Sequence, residues 1–253
     1  MTELAGRTAL VTGASRGIGA ATAVALAKNG AARVVLHYGS HRPGAEEVAA
    51  AVRGAGARAD ILGADLTTDE GISAFIGELR AMAPNVDILV NNAGSLVKRA
   101  KLLEATPELY DEIYNLNVKS VLLITQAVVP SMIAKGDGVV INLSSIAARN
   151  GGGPGATIYA SAKAAIAAFT KGWAKELAPL GVRVNAISPG TVDNYFHEKF
   201  SNAEILGNVV KMTPQGRLST NEDMADVILF LCSNAARNII GQTIEINGGM
   251  FMV

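Results

Sequence analysis

The chain has 253 residues, with 22 basic against 22 acidic side chains and so no net charge at neutral pH. That balance supplies no global field to recruit nucleic acid or an acidic membrane surface. A single cysteine, Cys232, excludes an internal disulfide, and the three histidines, His37, His41 and His197, lack the spacing of a metal site. No charged-then-apolar leader opens the sequence, and no uninterrupted apolar run approaches the roughly eighteen residues of a membrane span. A soluble cytoplasmic protein is the expectation.

The first apolar run is Thr8-Ala9-Leu10-Val11, followed directly by Thr12-Gly13-Ala14-Ser15-Arg16-Gly17-Ile18-Gly19 and a helical pattern near 17–29. A glycine-rich strand-to-helix turn lets backbone approach a pyrophosphate and aims helix amides at its charge. The spacing here is Gly-x-x-x-Gly-x-Gly rather than Gly-x-Gly-x-x-Gly, and its position between first strand and first helix points to dinucleotide binding. Gly13, Ser15, Arg16, Gly17, Ile18 and Gly19 are the residues expected against the cofactor.

The second run, Arg33-Val34-Val35-Leu36, continues into His37-Tyr38-Gly39-Ser40-His41-Arg42, with no acid before Glu46. An acid at this strand end commonly holds the ribose hydroxyls of NAD. Its absence, with Tyr38, Gly39, Ser40 and the nearby Arg16 able to hold a 2′-phosphate, favours NADP(H) over NAD(H). His41 and Arg42 read equally well as a solvated loop.

Further runs at 59–62, 87–90, 139–142, 182–185 and 243–246 alternate with helical patterns near 44–55, 68–82, 107–135, 157–179 and 221–233. Near-continuous apolar strands separated by helices make a parallel sheet covered on both faces, an α/β fold. No repeat or linker divides the chain, so 1–253 reads as one domain. The stretch 191–220 has no strand pattern and reads as an irregular substrate lid. Cys232 lies in the apolar run 227–232, where an inert buried thiol is expected. Lys98, Arg99 and Lys101 follow the fourth strand; they read as a solvated loop or as a lure for an anionic carrier.

Tyr159 and Lys163 are four residues apart in a helical pattern, so their side chains share one helix face, about 5–6 Å apart at Cβ. A phenol beside a fixed ammonium has its ionised form favoured, and a lowered pKa makes it a usable acid and base near neutrality.

The assembled residues resemble the short-chain dehydrogenase/reductase family, and within it the 3-oxoacyl-carrier-protein reductases. Matching pieces appear in family order: the glycine turn, Asp65-Leu66, Asn91-Asn92-Ala93-Gly94, Asn117, Ser145, Tyr159-x-x-x-Lys163 and Pro189-Gly190. The resemblance implies a Rossmann-type, doubly wound sheet of seven mostly parallel strands and a nicotinamide cofactor. It implies Asn117, Ser145, Tyr159 and Lys163 as the catalytic set, with no metal. Ser144 is the neighbouring alternative to Ser145, and Asn117 reads equally well as a surface helix residue. By the same resemblance Asp65 and Leu66 meet the adenine, and Asn91, Ala93 and Gly94 pass beside the adenosine ribose. Pro189 and Gly190 wall the nicotinamide, and the Val192 backbone holds its carboxamide. Asn194 stands where the family often has a threonine. The implied reaction is hydride transfer between a nicotinamide and a small-molecule carbonyl or secondary alcohol. Against it stand an extended-type dehydratase or epimerase, an NAD-dependent alcohol dehydrogenase and a non-catalytic dinucleotide sensor. The apolar tail 248–253, and the family's habit, imply a homotetramer with helices 107–135 and 157–179 at the main contact.

Overall fold

A computed structural model describes residues 4–253. In chain order the strands are β1 (Thr8–Val11), β2 (Arg33–Tyr38), β3 (Arg58–Gly63), β4 (Ile88–Asn91), β5 (Gly138–Leu143), β6 (Val182–Pro189) and β7 (Thr243–Ile246). The helices are α1 (Gly17–Lys28), α2 (Arg42–Gly54), α3 (Asp69–Met82), α4 (Pro107–Tyr114), α5 (Ser120–Lys135), α6 (Ala147–Asn150), α7 (Thr157–Leu177), α8 (Tyr195–Phe200), α9 (Ala203–Met212) and α10 (Asn221–Cys232). The seven strands form one sheet in the order β3-β2-β1-β4-β5-β6-β7, and each neighbouring pair is parallel.

Residues alternate between the two faces of each strand, and both faces are apolar here. On one face Ala9, Val11, Val34 and Ile141 pack with Leu26 of α1, Val52 of α2, and Met224, Ile228 and Leu231 of α10. On the other, Leu10, Val35, Leu89 and Val140 pack with Phe75 and Leu79 of α3 and with Ile124, Val128 and Met132 of α5. This is the doubly wound architecture expected from the alternating pattern. Strand order reverses at β1, whose neighbours are β2 and β4. Ligands bind in the crevice at the carboxyl ends beside such a reversal.

Two elements differ from the sequence expectation. The helix expected over 107–135 is broken by a π-helical turn, Asn115–Lys119, between α4 and α5. An inserted turn of this kind re-aims one side chain without ending the helix, and here that side chain is Asn117. The whole stretch Pro107–Lys135 is nevertheless long and apolar enough, by length and composition, to cross a membrane, contrary to the sequence reading. In the fold α5 buries Val121, Ile124, Val128 and Met132. The segment 191–220 carries two helices instead of irregular chain. Asn194 caps α8 by accepting from the Phe196 N–H, and Asn202 caps α9 by accepting from the Ile205 N–H. A short parallel bridge, Val192 to Ser219, ties the base of this segment together.

Candidate active site

The carboxyl edge of the sheet opens into a cavity of about 870 Å³, within the usual range for a small-molecule site. The glycine turn after β1 forms one end of it, and Gly13, Ser15, Arg16, Gly17 and Ile18 line the wall. Gly13 has φ of +64°, and a Cβ there would sit 2.9 Å from the Ala93 Cα. A Cβ on Gly19 would enter contact range of the Gly13 carbonyl oxygen and come within 2.5 Å of Asn92 Nδ2. Backbone therefore packs directly on backbone. The first turn of α1 has neither a side-chain cap nor an acid, leaving its amides to an anion. The Arg16 guanidinium stacks on the ring of Tyr195, 3.8 Å from its centroid, and so links the turn to α8.

His37 holds this turn in place, a role the sequence reading missed. Its Nδ1 accepts from the Gly13 N–H at 3.1 Å, and its Nε2–H donates to the Ala64 carbonyl at 3.1 Å, which fixes the neutral tautomer. Burial pushes its pKa down to about 4, against a smaller upward pull from the Ala64 hydrogen bond. The unfolded chain, with an ordinary histidine near 6.5, binds the proton first as pH falls. Stability that is full above about pH 6.5 therefore declines toward pH 4 and levels off below it. Between pH 7.5 and 5 this one side chain is expected to cost about 2 kcal/mol, at about 1.4 kcal/mol per pH unit. Urea midpoints at the two pH values should show that drop in the native chain and a smaller one in His37→Asn. Equal drops would show that other groups carry the pH dependence.

Asn91 and Asn92 part company at the end of β4. Asn91 is buried and donates from Nδ2 to Asn142 Oδ1 at 2.9 Å and to Thr125 Oγ1 at 3.0 Å. Its side chain does not reach the cavity, because the strand's alternation turns it under α5, so any approach to a ribose at this position belongs to the backbone. Asn92 lines the cavity instead and donates to the carbonyls of Thr12 at 2.8 Å and Gly13 at 3.0 Å. Ala93 and Gly94 follow it along the wall. Tyr38 is likewise outside the lining: its ring lies against Gly63 of β3, where a Cβ would come within 2.6 Å of it. Gly39, Ser40 and His41 reach the cavity in its place. At the same end, Asp65 accepts from the N–H and hydroxyl of Thr67, and Leu66 is buried beneath it.

At the other end Ser145, Tyr159 and Lys163 face the same cavity. Ser145 lies just beyond β5; its Oγ accepts from the Ala147 N–H at 3.1 Å, and its hydroxyl is close enough to the Tyr159 phenol to pull that group's pKa down. The Ser144 hydroxyl is used elsewhere, donating to the Lys163 carbonyl at 2.9 Å, which leaves Ser145 as the serine at the phenol. Lys163 is buried; its Nζ donates to the Leu143 carbonyl at 3.0 Å and lies 5.6 Å from the Tyr159 ring centroid. The expectation of an acidified phenol is not met. Burial pushes Tyr159 up to about 12, against the pull of Ser145, and pushes Lys163 down to about 8. Loss of hydration is the largest cause at both groups. At neutral pH the phenol keeps its proton and the ammonium its charge.

Asn117 is fully buried, not a surface residue. From the π turn its Nδ2 donates to the carbonyls of Ser95 and Ile113, both at 2.9 Å, while Oδ1 has no partner. A Cβ on Gly94 would lie 2.7 Å from that oxygen and 2.8 Å from Lys163 Nζ, so both groups border the space that the missing side chain leaves open. Pro189, Gly190 and Val192, leaving β6, complete the wall. Asn194, expected as a polar contact in place of the family's threonine, has both ends engaged: Nδ2 donates to Asn221 Oδ1 while Oδ1 caps α8.

A family model described as enoyl-(acyl carrier protein) reductase matches residues 13–251. The 3-oxoacyl-acyl-carrier-protein reductase FabG of Staphylococcus epidermidis is 35% identical over 246 residues, 97% of this chain and 99% of that protein. The chain is a short-chain dehydrogenase/reductase. Its backbone is similar to the structure of a gluconate 5-dehydrogenase from Burkholderia cenocepacia J2315 in complex with NADP and tartrate. That match has a TM-score of 0.88 at 33% identity and covers 98% of this chain and 96% of the other. A 7α-hydroxysteroid dehydrogenase complexed with NADH and 7-oxo glycochenodeoxycholic acid matches with a TM-score of 0.90 at 33% identity, covering 98% and 95%. As a member of this family the chain is an oxidoreductase of carbonyl and hydroxyl groups that uses a nicotinamide dinucleotide. The residues present fit that cofactor: an uncapped helix start behind a glycine turn, and an orphaned buried oxygen on Asn117 beside Lys163.

Proposed function

We propose that this short-chain dehydrogenase/reductase is an NADP(H)-dependent reductase of small-molecule ketones, a class that includes the 3-oxoacyl type of its FabG relatives, with Tyr159 as acid and base. The observation that carries the reading is the shared cavity: the glycine turn and the group Ser145, Tyr159 and Lys163 line one continuous space. When bound, the cofactor supplies the hydride. Ser145 Oγ donates to the substrate oxygen and stabilises the charge that builds there. Tyr159, protonated at neutral pH, holds a proton at Oη for that oxygen and takes it back in the alcohol-oxidising direction. Lys163 sets a positive charge beside the developing phenolate, and Asn117 Oδ1 is poised to hold a water on the path from Lys163 to solvent. Consumption of NADPH with a panel of ketones and acyl thioesters tests the reading. Binding of NADPH without turnover of any of them would favour a dinucleotide sensor.

Preference for NADP(H) is supported by the lining at the end of β2, where Arg16, Ser40 and His41 meet a single acid, Asp65. A carboxylate introduced at this strand end repels a 2′-phosphate and accepts from free ribose hydroxyls. Ser40→Asp, at a position that lines the cavity, is therefore expected to weaken NADPH at least tenfold while NADH changes much less, as read by fluorescence titration. Equal losses would defeat the assignment. The remaining parts of the reading are one domain over 1–253 with a substrate lid at 191–220, a cytoplasmic location, no membrane or nucleic-acid partner, and a homotetramer. The exposed Met252 and Val253 at the tail support an interface. A concentration-independent monomer mass in light scattering would refute the tetramer.

A further inference from the structure

Arg99 stands at the mouth of the substrate end of the cavity, and its bonds join two separate lips. Nε and Nη2 both donate to the Phe200 carbonyl, at 3.2 and 3.1 Å, at the end of α8. Nη1 donates to the Pro154 carbonyl at 2.9 Å, in the loop before α7. A guanidinium has five N–H donors, so one remains on each terminal nitrogen. Both of its partners are neutral carbonyls, and no carboxylate pairs with it among the described residues.

Within this cavity the charge meets no acid at its own end, although Arg99 also lines a second pocket with Glu104, Glu108 and Glu112. Asp65 is the sole acid among the lining residues, and it belongs to the far, adenine end. Lys199, on the same lip as Phe200, adds a second cation to the wall. His197 adds no further positive charge, since burial and then Arg99 push its pKa down to about 4 against a smaller upward pull from Asp193. The chain also holds a strained backbone to aim this segment. Val97 has φ of +61°, rare for a β-branched residue, within a tight turn in which the Lys98 N–H donates to the Leu96 carbonyl at 2.7 Å. Strain of this kind two residues from a cavity-lining cation marks a position shaped for a ligand.

We propose that Arg99 is a specificity-determining residue that recognises a carboxylate on the substrate, which makes the preferred substrates oxo acids and hydroxy acids of low mass. The two free N–H groups, one on each terminal nitrogen, suit a two-point contact with a planar carboxylate. This rests on the reductase reading above, and it narrows the substrate class of that same site.

The test pairs oxo carboxylates such as levulinate with their methyl esters, which carry the same carbonyl without the charge. For the native enzyme the ratio of kcat/KM for acid over ester is expected to exceed about five. In Arg99→Gln the ratio should fall toward one, and in Arg99→Lys it should stay between the two. A native ratio near one overturns the proposal. So does an Arg99→Gln variant in which acid and ester lose equally, because a residue that only latches the two lips together would act on both. Titration of the NADPH-loaded protein with succinate reads the same contact without turnover. Binding several-fold weaker in Arg99→Gln supports the proposal even if no ketone is reduced, an outcome that would sink the reductase reading alone; equal succinate affinity in both proteins overturns it.

Discussion

Replacing Tyr159 with phenylalanine is expected to lower turnover by about 10²–10⁴-fold, the usual worth of a positioned proton donor. The ring stays, so packing against Phe196, whose centroid is 5.8 Å away, is retained. What is lost is the one hydroxyl at which Ser145 and the substrate oxygen meet. The phenol of the free enzyme, pushed up to about 12 by burial, is a donor rather than a base at neutral pH, so the loss should be largest in the direction of carbonyl reduction. NADPH titration of the variant should give a dissociation constant within a few-fold of the native one. A variant that keeps more than a tenth of native turnover would remove Tyr159 from the acid role. Parallel loss of cofactor binding would mean that the substitution had disturbed the cavity itself.

The second large effect is structural and runs against helix propensity. Gly19 lies in the first turn of α1, where alanine would ordinarily gain up to about 1 kcal/mol. Here the added Cβ meets the Gly13 carbonyl oxygen and Asn92 Nδ2, a backbone atom and a side chain that is itself bonded to two carbonyls. Neither can retreat without opening the turn. Overpacking of this kind costs about 1–3 kcal/mol in a well-packed site, and more against backbone. A net loss of about 2 kcal/mol is expected for Gly19→Ala, which for a chain of this size lowers Tm by about 4–8 °C. The same variant should bind NADPH at least tenfold more weakly, because the turn and the helix amides move together. A Tm at or above the native value would show that helix propensity had won and that the close approach is looser than drawn.

The sheet was legible because its strands are short apolar runs closed by turn residues, a pattern that needs no knowledge of what packs on them. The run at 87–90 appears in the fold as β4 (Ile88–Asn91), and each of the other runs overlaps its strand. The glycine turn was legible for the same reason, since tight backbone approach can be met by few residue types. What the sequence could not display depends on tertiary burial. Tyr159 and Lys163 are four apart on a helix, which guarantees proximity of their Cβ atoms but says nothing of how much water each loses. Asn91 and Asn92 are chemically identical in the sequence, and the parity of the strand alone decides which one meets the cavity. His37 was passed over because a histidine at a strand end has no pattern of its own; its role exists only once Gly13 and Ala64 arrive on either side. The helices of 191–220 were hidden by their brevity, though Asn194 and Asn202 in capping positions were the available signal.

The amide of Asn91 has a consequence for how the chain assembles. Asn91 sits beside Asn142 in the β4–β5 register, and Asn142 Nδ2 in turn reaches Thr170 Oγ1 on α7 at 3.0 Å, while Asn91 reaches Thr125 on α5. Sliding either strand by one step would strand these polar groups in an apolar interior, at a penalty of about 1–3 kcal/mol for each one left bare. The rungs act as a key: apolar strands that could otherwise pair in several offsets are admitted in one, and the two long helices are clocked to the rotation in which Thr125 and Thr170 point inward. Any second copy that docks on those helices thus meets a surface whose phase was set from within.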